Sequence, residues 1–155
     1  MTATETLTKI LLIHGPNLQL LGKRQPEIYG RQTLEDINSH LRDIALGKGV
    51  ELKTFQSNYE GAIVSEIGDN INWADGILIN PGAYTHTSIA IQDALSAVNL
   101  PVIEIHLSNI YARDDFRHHS YVSPVAIGVI SGFGDFSYDL ALEAMVRKLK
   151  ENPDE

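Results

Sequence analysis

From residue 10 to residue 150, short apolar runs alternate with segments of helical period, and that alternation restricts the chain to very few folds. Ile10-Leu11-Leu12-Ile13 has no polar face, so it reads as a strand buried on both sides, ended by the turn His14-Gly15-Pro16-Asn17. Gly76 to Asn80 has the same character, and further strands are expected at Pro101 to His106 and Ala126 to Ile130. Val50 to Phe55 differs, because Val50, Leu52 and Thr54 alternate with Glu51 and Lys53, which suits an edge strand with one wet face.

Helical segments fall between these runs. Thr33 to Gly47 places Leu34, Ile37, Leu41 and Ile44 on one face, with Thr33 and Asp36 spaced as a capping box and Gly47 as the expected stop. Ser57 and Glu60 open a second helix carrying Ile63, Ile67 and Ile71, a third runs from about Thr87 to Val98, and a fourth from about Tyr138 to Lys150. The last points Leu142, Met145, Val146 and Leu149 inward and ends in Arg147, Lys148 and Lys150, where the helix dipole favours cations. Five strands joined by helical crossovers imply an α/β, flavodoxin-like three-layer sandwich, with a parallel sheet in the order 2-1-3-4-5 that leaves the alternating second strand at an edge.

The 155 residues suit one catalytic domain, 1–155, with its core at about 9–150 and short polar tails. A net charge of −8 argues against nucleic acid or an anionic membrane as partner, since both require a basic face. Any anionic ligand must then be held by local donors. The absence of cysteine excludes disulfides, thiolate catalysis and zinc–sulfur sites. Met1 to Lys9 is polar, and the apolar run after it is too short for a signal-peptide core or a membrane span, so the expected location is the cytoplasm.

Two long segments, Leu18 to Gln32 and Leu107 to Pro124, leave the carboxyl ends of strands, where open α/β sheets bind ligands. Polar residues gather at the same ends: Asn17 after the first strand, Asn80 at the end of the third, Glu104 and His106 at the end of the fourth. Glu104 and His106 are two apart on a strand and point the same way. A carboxylate beside an imidazole fixes its tautomer and suits it to general acid work, although a purely structural pair has the same spacing.

In the first long segment, Lys23, Arg24, Pro26 and Tyr29 taken alone make a solvated basic turn. A sharper reading pairs Arg24 with Tyr29 as a tyrosinate base. Bringing a tyrosine pKa from about 10 to about 7 requires roughly 4 kcal/mol. One cation at about 4 Å supplies roughly that at an effective dielectric near 20, and Arg113 would add to it.

Other chemistries fit poorly. Gly15 to Lys23 approaches a phosphate loop, but the spacing is too long and Arg24 stands where Ser or Thr is needed. There is no G-x-S-x-G elbow and no lysine within an apolar strand for a Schiff base. His106, His118, His119 and Glu104 make a poor metal set, because adjacent histidines on one loop rarely reach the same ion. Neither metal nor cofactor is expected.

Four motifs in register resemble the type II 3-dehydroquinate dehydratases: Gly15-Pro16-Asn17-Leu18, Gly22-Lys23-Arg24-Gln25-Pro26-Glu27-Ile28-Tyr29-Gly30, Asn80 to Ser88, and Glu104 to Asn109 with Arg113 to Ser120. The resemblance spans roughly Lys9 to Lys150. It implies a lyase that dehydrates 3-dehydroquinate to 3-dehydroshikimate on the shikimate route to chorismate and the aromatic amino acids. By resemblance, Tyr29 is the base, Arg24 keeps it ionised with support from Arg113, and an enolate forms near a water held at Asn17. His106, oriented by Glu104, then protonates the leaving hydroxyl. Asn80 and the backbone of Leu107 and Ser108 would bind the substrate carboxylate, with His86 and Arg117 on ring hydroxyls. Asp93 matches a residue that the family offers to a neighbouring subunit, which implies a homo-oligomer, a dodecamer built from trimers. Two other readings remain: a dehydratase or hydrolase of another cyclic hydroxy acid, and a flavodoxin-like binding or signalling module. Asn80, where a receiver domain needs an acceptor aspartate, speaks against signalling.

Overall fold

Four consecutive side chains of β1 (Thr8–His14), Ile10 to Ile13, are fully buried, and they divide between two cores on opposite faces of one sheet. The computed structural model describes residues 6–23, 26–29 and 31–151, with the side chains of 28 and 29 excepted. Ile10 and Leu12 pack with Leu34, Ile37 and Leu41 of α2 (Leu34–Gly47) and with Leu142 and Met145 of α5 (Phe136–Lys150). Leu11 and Ile13 pack against Ile63 and Ile67 of α3 (Glu60–Asp69) and Ile91 and Leu95 of α4 (Ile89–Val98). A strand with both faces covered has no use for a polar alternate residue, which accounts for the unbroken run. Each of these side chains contributes about 1.5–3 kcal/mol through its burial.

The sheet is parallel throughout, in the order β2-β1-β3-β4-β5, with β2 (Val50–Gln56), β3 (Gly76–Asn80), β4 (Val102–His106) and β5 (Gly128–Ser131). The alternating β2 lies at an edge, as its pattern asks. Register aligns Gln56, His14 and Asn80 across three neighbouring strand ends, with Ile79 opposite Glu104. Alternation along β3 and β4 then assigns faces. Asn80 lies on the α2/α5 side with Leu78, while Glu104 and His106 lie on the α3/α4 side with Val102. Among the described residues, no helix is long and apolar enough to cross a membrane.

Several boundaries differ from the sequence expectation. The capping box of α2 forms as read, with Thr33 and Asp36 each accepting from the other's backbone N–H. The chain does not turn at Gly47, which is the last helical residue; the left-handed conformation falls to Gly49 (φ 72°). Ser57 does not cap α3. Its hydroxyl accepts from the Tyr59 N–H instead, and the helix starts at Glu60 and stops before Ile71, which is exposed. Thr87 ends a 3-10 turn, so α4 begins after Ser88, whose side chain caps it. Ala126 is coil because residues 123–125 form a 3-10 turn, and β5 is shorter and later than expected, Gly128–Ser131. Leu149 is only partly buried near the end of α5.

Candidate active site

At the carboxyl ends of β1, β3 and β4 lies a cavity of about 260 Å³, lined by Asn17, Asn80, His86, His106, Arg113 and Arg117 among others. Leu107 and Ser108 line it as well, and Leu18, Leu21 and Ile110 give it an apolar wall. Two glycines make this geometry possible. A Cβ at Gly15 would stand 2.3 Å from the Pro81 carbonyl oxygen, so only glycine lets the ends of β1 and β3 approach this closely. Gly22 (φ 82°) packs on the backbone of Arg31 and Gln32, which draws the two ends of the first long segment together.

On the α3/α4 face, Glu104 is fully buried behind His106. One carboxylate oxygen accepts from His106 Nε2 (2.5 Å) and Thr85 Oγ1 (2.6 Å); the other accepts from Ser123 Oγ (2.5 Å), and Ser120 Oγ reaches both (2.8 and 3.0 Å). Burial opposes its ionisation, but the hydrogen bonds from His106, Ser123 and Thr85 outweigh it and hold the carboxyl down at about 2. The carboxylate therefore remains ionised at neutral pH and fixes His106 through Nε2. Nδ1 of His106 has no hydrogen bond to any described residue.

On the α2/α5 face, Asn80 Nδ2 donates to the Tyr138 hydroxyl (3.0 Å), and Asn80 Oδ1 accepts from the Gly82 N–H (3.2 Å). The Tyr138 hydroxyl also meets His14 Nδ1 (2.9 Å), and His14 Nε2 meets Asn38 Oδ1 (2.8 Å). His14 and Tyr138 are both fully buried. Burial lowers the His14 pKa to about 4 against a smaller opposing effect of Asn38, and burial raises that of Tyr138 well above the usual phenol range. Both are neutral near pH 7.

The remaining walls are polar. His86 Nδ1 donates to the His119 carbonyl (2.8 Å), and burial lowers its pKa, so the neutral ring keeps Nε2 as an acceptor. The carbonyls of Leu107 and Ser108 accept from the Gly134 N–H and the Ser131 hydroxyl. Their own N–H groups make no hydrogen bond among the described residues, and adjacent free amides beside two arginines favour an anion. Asn17 adopts a left-handed conformation (φ 69°), and its N–H is held by Asn58 Oδ1 (3.0 Å). Tyr84 donates to the Asn58 carbonyl (2.7 Å), which ties that turn to the segment after β3.

The cavity thus gathers eight of the residues singled out in the sequence, and Glu104 lies directly behind it. Asp93 does not line it and is exposed on α4. Arg24 lies outside the described residues, and of Tyr29 only the backbone is described, at the end of α1 (Pro26–Tyr29). His118 holds the Arg113 carbonyl (2.9 Å) and His119 packs edge-on against Tyr121, so this pair supports the second loop. Among the described residues no three His, Asp or Glu side chains are grouped to hold a metal ion. Sequence reading missed Thr85, Ser120, Ser123, His14, Tyr138 and Asn38. The fully apolar run ending in His14 was the one available signal, since a histidine closing such a strand must find buried partners.

Comparison with known proteins follows the same outline. Residues 8–146 match the family model described as dehydroquinase class II. A 3-dehydroquinate dehydratase of Synechococcus is 55% identical over 142 residues, which cover 92% of this chain and 97% of that protein. One of Nostoc is 57% identical over 141 residues, covering 91% and 96%. The crystal structure of a type II dehydroquinase from Butyrivibrio crossotus matches with a TM-score of 0.87 at 44% identity, covering 91% of this chain and 98% of that one.

Proposed function

The chain belongs to the dehydroquinase class II family, and on that premise we propose that it dehydrates 3-dehydroquinate to 3-dehydroshikimate by general acid–base catalysis. The observation that carries the reading is the His106–Glu104 pair behind a cavity with two arginines and two backbone amides that have no hydrogen-bond partner among the described residues. Tyr29, as tyrosinate kept ionised by Arg24 with Arg113 in support, removes the proton beside the substrate ketone. The resulting enolate is held through a water at Asn17. His106 passes the proton on Nδ1 to the leaving hydroxyl, which departs as water, and the enolate collapses to the conjugated enone. Nε2–H stays on Glu104, so the ring neither turns nor loses its orientation as it gives up the proton.

Asn80 and the amides of Leu107 and Ser108 bind the substrate carboxylate, a local answer to the chain's net charge of −8. His86 accepts a ring hydroxyl at Nε2, and Arg117 holds another. The whole chain acts as one catalytic domain in the cytoplasm. Asp93, exposed on α4, serves a neighbouring subunit in a homododecamer built from trimers; light scattering of a fully active monomer would overturn that assembly.

The test of the reaction is to add 3-dehydroquinate and follow the ultraviolet absorbance of the enone. A steady rise proportional to enzyme is expected. No signal at high enzyme concentration excludes the reaction.

A further inference from the structure

We propose that His14 and Tyr138 are positioning residues that fix which way round the Asn80 amide faces the cavity. This rests on the reading of Asn80 as part of the carboxylate site. Asn80 Nδ2 donates to the Tyr138 hydroxyl, because Oδ1 is already taken by the Gly82 N–H. The hydroxyl must then place its single proton elsewhere, and the His14 Nδ1 lone pair at 2.9 Å receives it. The His14 proton sits on Nε2 and goes to Asn38 Oδ1 at 2.8 Å. Every bond in the series points away from the cavity, and its direction depends on a neutral His14 with the proton on Nε2.

Reversal would have a definite consequence. A proton on Nδ1 would turn the tyrosine hydroxyl toward Asn80, which would have to present Oδ1 to it. The bond from Gly82 would be lost, and the amide would show its other end to the cavity. The present orientation keeps the second Nδ2–H available for an anion. The relay runs through α2, β1, β3 and α5, so the amide is fixed by packed elements rather than by a loop.

The test compares Tyr138→Phe, His14→Leu, His14→Asn and Asn80→Ala with the wild type, measuring KM, kcat and melting temperature. Asn80→Ala is the reference. If it leaves KM unchanged, the carboxylate reading of Asn80 fails independently of the relay. With that reading intact, Tyr138→Phe and His14→Leu each raise KM roughly tenfold while kcat changes less than about threefold, as expected when one hydrogen bond to a charged group is lost. The double variant is no worse than either single one, because both break one series. His14→Asn, whose side-chain oxygen reaches the position of Nδ1, restores KM. Equal KM increases in His14→Asn and His14→Leu, or an unchanged KM with a lowered melting temperature, would overturn the proposal. Nitrogen NMR of the His14 ring in the unliganded enzyme decides the direction even if His14→Leu does not fold. A proton on Nε2 supports the relay, and a proton on Nδ1 refutes it.

Discussion

The two faces of the sheet each deliver a polar side chain to the same cavity, and they support it in opposite ways. On the α3/α4 face, the support behind His106 is a charge: Glu104, fully buried and held by His106, Thr85, Ser120 and Ser123. On the α2/α5 face, the support behind Asn80 is neutral, the His14–Tyr138–Asn38 series. A buried charge requires several converging donors, and once they are present it holds a proton donor firmly in place. A neutral series carries no such desolvation penalty and sets only a direction. Under the proposed function, proton transfer belongs to one face and ligand orientation to the other.

The sharpest way to break that division is to remove the groups proposed to react. His106→Ala and Tyr29→Phe are each expected to lower kcat by roughly 10²–10⁴, with KM far less affected. A His106→Ala enzyme that loses KM and keeps kcat would place the α3/α4 face in binding instead.

Arg24→Ala follows in size. A phenol with an ordinary pKa near 10 is about one part in a thousand ionised at pH 7, so kcat at neutral pH falls by up to roughly 10²–10³ and recovers in part at alkaline pH. Arg24→Lys rescues incompletely, because the planar guanidinium fork is lost. An ascending, acid-side limb of the pH–rate profile that does not move to higher pH in Arg24→Ala would show that this arginine does not tune the base.

Glu104→Gln is expected to cost less, about 1.5–3 kcal/mol or roughly ten- to a hundredfold in kcat, since the amide still orients the ring but no longer offers a charge. A larger loss than in His106→Ala would reverse the two roles.

The smallest effect is on stability in acid, and it separates the faces by pH. His14 has its folded pKa lowered from 6.5 to about 4, so the unfolded chain takes up the proton first. Its contribution is complete above 6.5 and is lost as pH falls toward 4. Glu104 is lowered from 4.5 to about 2, so its contribution holds above 4.5 and is lost between 4.5 and 2. In urea titrations at a series of pH values, His14→Asn flattens the upper window and Glu104→Gln the lower. A wild-type slope retained between pH 6.5 and 4 in His14→Asn would mean that this histidine is not held neutral by the fold.

Local residue pattern was enough for the class, the strand order and the residues that meet at the strand ends. Apolar periodicity is a local property, and Ile10 to Ile13, Gly76 to Asn80 and the alternating Val50 to Phe55 state their burial without reference to anything distant. The spacing of Glu104 and His106 was legible for the same reason, because two residues apart on a strand share a face wherever the strand goes. What surrounds that pair was not legible. Thr85, Ser120 and Ser123 lie 19, 16 and 19 residues from Glu104, in segments whose pattern says only that they are polar. His14 finds Asn38 and Tyr138 at separations of 24 and 124 residues, and no periodicity encodes a partner at that distance. Hydrogen-bond direction belongs wholly to tertiary structure, because a histidine's tautomer and an asparagine's facing are set by the atoms that packing brings within 3 Å.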